Sequence, residues 1–215
     1  MRLGEREDEP VIEFDRGDFL RLGAGGVIAA AAAGLVPATA GAQLPAPTPI
    51  DDDIAFLSFA TVAERASRDF YRAAFERAKT GLAPAQRRHI NRVASAKRGH
   101  ILLLNAALGS DAPLASDFVT ILPQGAVKTK ARILALASRL ETLLVRVYLN
   151  GVGFTEDPAT RLFLGRLLAY DAEQLAWLRG AAGHAAAPGG LFSPIDLEAA
   201  AAELDAFLST PDFPD

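Results

Sequence analysis

The sequence predicts an all-α protein: a four-helix bundle of two antiparallel hairpins joined by a long crossover, with a short helix added at the C-terminus. Three observations carry this. Half of the 215 residues are hydrophobic, with Ala and Leu abundant and few aromatics other than Phe, a composition that favours packed helices over a β-sandwich. From Asp51 onward the apolar residues recur at three- and four-residue spacing. The segments that share this period are separated by two short breaks and one long one.

The first thirteen residues are polar and acidic and predict a disordered start. Residues 14–42 have the layout of an export signal: a charged flank, the small apolar run Leu22–Leu35, and small residues before a cleavage point after Ala40 or Ala42. Phe19, Leu20 and Arg21 match a twin-arginine signal, whereas Gly17 stands where the second arginine belongs. The expected product is exported, to the periplasm, the cell envelope or the exterior, with no stable transmembrane span after processing. Residues 43–50, which contain three prolines, read as a linker.

The bundle is expected over residues 51–183. Asp51–Asp53 supply first-turn acids to a helix that runs to about Lys79 and is closed by Gly81. Pro84 opens a second helix, ending at Gly109. Residues 110–124 have no helical period. A third helix is expected from about Gly125 to Asn150, stopping at Gly151 and Gly153, and a fourth from Asp157-Pro158 to about Gly180. In the C-terminal region, 184–215, Ser193 to Asp196 reads as a capping signal for a short fifth helix reaching about Ser209. The short links force antiparallel hairpins, and the long one is able to return along the whole bundle.

The totals also exclude chemistry. With no cysteine, neither disulfides nor a thiolate metal site can form. The net charge of −4 lies mostly in the first 21 residues, so the folded part is nearly neutral and offers no average footprint for nucleic acid or anionic lipid. No phosphate loop or nucleophile elbow is present. The Leu191–Pro214 tail offers a partner-binding segment, and a homo-oligomer is left open.

Each main helix carries polar residues on its apolar stripe. Glu64 lies on the Leu57–Tyr71 stripe with Ser67; Lys97 and His100 lie among Ile90, Val93, Ile101 and Leu104. Glu141 is ringed by Leu134, Ala137, Leu144 and Tyr148, and Asp171 with Gln174 by Leu164, Leu167 and Leu175. Burying one carboxylate costs several kcal/mol (roughly) unless it is paired, so a shared polar cluster is the economical reading. Two bland alternatives remain: Glu64 half exposed between Arg65 and Arg68, and Lys97 extending its ammonium past the stripe to water. His89 and His184 read as surface residues, and Trp177 as packing.

The pattern repeats. Glu64 is followed seven residues later by Tyr71, and Glu141 by Tyr148; the second helix of each hairpin then holds a pair three apart, Lys97/His100 and Asp171/Gln174. With Phe59-Ala60, Glu64 and Phe70-Tyr71, this resembles the ferritin-like superfamily, and in particular exported bacterial ferritin-like domain proteins. The resemblance implies two metals held by one Glu from each first helix and a Glu-x-x-His from each second helix. Glu64, Glu141 and His100 match such ligands, and Asp171 is a shortened one. Lys97 stands in place of a glutamate and Gln174 in place of a histidine, with Tyr71 and Tyr148 behind the ligands. The expectation is therefore a degenerate site, without cofactor, in which Lys97 and a protonated His100 compensate three carboxylates. The alternative is iron or manganese held by the reduced set Glu64, His100, Glu141 and Asp171.

Overall fold

The apolar stripes lie where the helices of the folded chain meet, in a computed structural model that describes residues 51–77, 80–187, 189–205 and the backbone of 208–209. The acidic start, the export signal and the linker expected over residues 1–50 lie outside the described residues. The described elements fall in one compact unit, Pro45–Asp215. They are α1 (Asp51–Glu76), α2 (Pro84–Leu108), α3 (Lys130–Phe154), α4 (Pro158–Ala181) and α5 (Leu197–Leu204). Leu57, Phe70, Ile90, Leu104, Ile133, Leu140, Leu144 and Leu164 are among the fully buried side chains that fill the centre.

Four contacts fix the directions. The Lys130 amide donates to the Thr80 carbonyl (2.6 Å), so α3 begins beside the α1–α2 turn. It ends beside the start of α1, where Gly151 meets Phe56. Thus α3 runs antiparallel to α1. His100 meets Tyr170 and His89 meets Trp177, so α4 runs antiparallel to α2. Residues 109–129 must therefore return along the bundle, and they are tied to α1 by Arg65 donating to the Pro113 carbonyl and Thr120 to Asp69.

Three helices differ from expectation in their limits, each for a physical reason. The first helix ends at Glu76, where Arg87 donates to the Phe75 and Arg77 carbonyls and closes the helix end from outside. The third begins at Lys130, with Thr129 as N-cap accepting from the Arg132 amide, and it passes through Gly151 and Gly153 to Phe154. Gly151 is a close-approach residue there: a Cβ would clash with the Phe56 ring and crowd Leu164. The last helix starts as expected on an Asp196 cap but stops at Leu204, because Leu208–Ser209 pair antiparallel with Val119–Thr120 of the crossover.

Helix α5 docks on the bundle through Ala200 and Leu204, both buried, and through an Arg146–Glu203 ion pair of 3.1 Å. At the start of α1, Asp53 is buried and accepts from the Asp157 and Glu156 amides, joining it to the α3–α4 turn. Its role is that of a tertiary clamp as well as a first-turn acid.

Candidate functional site

Mid-height in the bundle, each main helix turns one or two polar side chains inward, at positions dictated by its apolar period. Glu64 and Ser67 come from α1, Lys97 and His100 from α2, Glu141 and Tyr148 from α3, and Asp171 from α4. The side chains of Glu64, Lys97, Glu141 and Asp171 are all at 0% exposure. Lys97 therefore does not reach water, and Glu64 is not a half-exposed partner of Arg65 or Arg68.

The lysine is the hub. Its Nζ lies 2.5 Å from Asp171 Oδ1, 3.2 Å from Glu141 Oε2 and 3.3 Å from Glu64 Oε2. The first two contacts are hydrogen bonds; the third is an ion pair without hydrogen-bond geometry. Around this hub, Tyr148 donates its hydroxyl to Glu64 Oε1 (2.7 Å), His100 Nδ1 lies 3.2 Å from the same oxygen, and Ser67 donates to Glu141 Oε1 (3.4 Å). His100 is the member nearest the surface, 13% exposed, with the Tyr170 ring edge-on at 4.8 Å.

One ammonium faces three carboxylates in a medium where unpaired charge is costly, so the carboxylates cannot be equivalent. Burial works against ionising Glu64, but the Lys97 and His100 charges and the bonds from His100 and Tyr148 outweigh it and hold the carboxyl at about 2. Asp171 has fewer allies. Burial, with Glu64 and Glu141 nearby, drives its carboxyl well up despite Lys97, and its Oδ2 has no hydrogen-bond partner. The three carboxylates together raise the Lys97 ammonium well above the usual lysine value against the opposing effect of burial. Lys97 and Glu64 are thus held toward their charged forms, whereas Asp171 is driven toward its neutral form.

The Tyr71 hydroxyl is buried beside Glu141, and burial and that carboxylate push it well up. One residue expected in the cluster stands apart from it. Gln174 is buried but turns to His89, and its amide oxygen bonds to no member of the cluster. His89, expected at the surface, is half-buried. Its ring stacks on Trp177, centroids 3.6 Å apart and planes at 15°, with Arg92 Nη2 3.3 Å from Nδ1. His184 is exposed, as expected. Tyr170 and the His89–Trp177 stack were not legible, because each depends on a partner from another helix.

Burial, then Arg92, lowers His89 from 6.5 to about 4, against a smaller opposing effect of Gln174. An unfolded chain takes up that proton near pH 6.5 while the folded one refuses it until about pH 4, so acidification through this window costs stability. Chemical denaturation of the parent and of His89→Phe between pH 7 and pH 4 is expected to show the parent losing stability relative to the variant as pH falls.

Residues 52–184 match the family described as the ferritin-like domain. No curated protein matches the chain. A pair of divalent ions, as that fold implies, does not fit the residues as they stand, because the Lys97 ammonium lies where the carboxylates converge. Among the described residues, only Glu64, His100 and Asp171 bring ligand atoms within 4.8 Å of one another.

Proposed function

The chain belongs to the ferritin-like domain family, and we propose that it is an exported member in which a buried ammonium–carboxylate network stands in place of two metals. On this reading it is a non-enzymatic binding or structural protein. The observation that carries the proposal is the position of Lys97, whose Nζ contacts all three inward carboxylates from full burial. A permanent cation supplied by the chain offsets part of the carboxylate charge from within and links α2 to α1, α3 and α4 at one point. It brings no open coordination position and no electron, which are what metal-centred oxidation requires. The signal layout of residues 14–42 supports export.

A second reading has its own observation. Glu64, His100 and Asp171 form a three-residue cluster, with one oxygen on each carboxylate lacking a hydrogen bond. A single iron or manganese ion there would have to displace Lys97 from both carboxylates. Oxidation of ferrous iron by the purified protein in air separates the two. The network reading expects the rate of buffer alone; oxidation that scales with protein and is lost in His100→Ala supports the metal reading.

A further inference from the structure

Although the folded part is nearly neutral overall, its charge is segregated, and α2 is the clearest case. Its 25 residues include Arg87, Arg88, Arg92, Lys97 and Arg98 and no carboxylate. Arg88, Asn91, Arg92, Ser95, Arg98, Leu102, Leu103 and Ala106 fall on one outward face, and all are exposed. Arg88 and Arg98 form no ion pair or hydrogen bond among the described residues, and Arg92 meets only the His89 ring. Leu102 and Leu103 are 61% and 46% exposed on the same face. From Arg88 to Leu103 this stripe is about 22 Å long at the helical rise. At its arginine end, Phe75, Ala85, Arg88, Asn91 and Arg92 border a shallow groove.

We propose that this face of α2 docks on an anionic phospholipid surface, with the arginines on headgroup phosphates and the two leucines at the acyl boundary. Guanidinium groups match phosphate oxygens in pairs, and free arginines beside exposed leucines suit a surface that is charged outside and apolar just beneath. A second copy of this chain offers fewer partners, since near the α3–α4 turn and α5 the Asp157 and Asp196 side chains cap helices and Glu203 pairs with Arg146, which leaves Glu156, Glu198 and Asp205 exposed. No described helix is long and apolar enough to cross a membrane, so the association is peripheral and salt-sensitive.

Vesicle flotation of the full chain tests this, with parent and variants compared at equal concentration so that any contribution of residues 1–50 is common to all. The probes are phosphatidylglycerol/phosphatidylcholine vesicles, phosphatidylcholine vesicles, and the mixed vesicles with inorganic phosphate or polyglutamate as competitor. Binding to the mixed vesicles is expected to fall about tenfold or more in Arg88→Glu/Arg92→Glu and in 0.5 M salt, and several-fold in Leu102→Ser/Leu103→Ser. These side chains are exposed, so unchanged thermal melts verify folding. Equal flotation of the arginine variant and the parent on mixed vesicles overturns the proposal. So does complete competition by polyglutamate with the leucine variant binding like the parent, which would assign the face to an acidic chain. Competition by inorganic phosphate at headgroup-equivalent concentration would reduce the site to a free-anion pocket and also overturns it.

Discussion

Replacing Lys97 with methionine is expected to destabilise the bundle by about 3–5 kcal/mol at neutral pH, the usual cost of removing one partner from a buried ion pair. Methionine keeps the length and the packing of the lysine stem, so the loss is that of the ammonium. Three buried carboxylates would then share only His100, Tyr148 and Ser67 as partners. The effect has a defined pH dependence. In the parent, Glu64 is lowered from 4.5 to about 2, a stabilisation that is full above pH 4.5 and is lost as pH falls through 2. Without Lys97 the largest contribution to that lowering is lost, and Asp171, already raised, rises further. The variant therefore recovers toward the parent as acid protonates its carboxylates. Urea denaturation from pH 7 to pH 3.5 checks this. Combining Lys97→Met with Glu64→Gln, Glu141→Gln and Asp171→Asn should restore much of the loss at pH 7, because the charges leave with their partner.

The second large effect is a gain. Lys97→Glu combined with Gln174→His removes the internal cation and supplies the two missing ligand types, so each hairpin offers a carboxylate and an imidazole three residues apart. Without metal the variant is expected to be less stable than the parent, since it gathers four carboxylates. With manganous or ferrous ion at a hundredfold excess over Kd, about 2.7 kcal/mol of stabilisation follows, or roughly 5–10 °C in Tm for a chain of this size. The parent is expected to show no such dependence on added metal. Because Gln174 faces His89, the imidazole at 174 has to turn away from the Trp177 stack, and His89→Ala should increase the gain.

The fold and the heart of the site were legible because both rest on period. Glu64 and Glu141 stand on stripes whose neighbours leave no other place for them, and Lys97 and His100 share a stripe with Ile90, Val93 and Leu104. What escaped depends on partners distant in sequence. Gly151 reads as a helix stop until Phe56 and Leu164 are seen pressed against it. Gln174 reads as a member of the cluster until the His89–Trp177 stack offers it another neighbour. The last helix stops early because a two-residue strand of the crossover claims Leu208 and Ser209. The basic face of α2 vanished into a near-zero average charge, since net charge carries no information about where the arginines point.

If Lys97 takes the place of the metals, elemental analysis of the purified protein gives iron and manganese far below one equivalent per chain in the parent, though not in Lys97→Glu/Gln174→His. Near-stoichiometric metal in the parent, lost on His100→Ala, would contradict it.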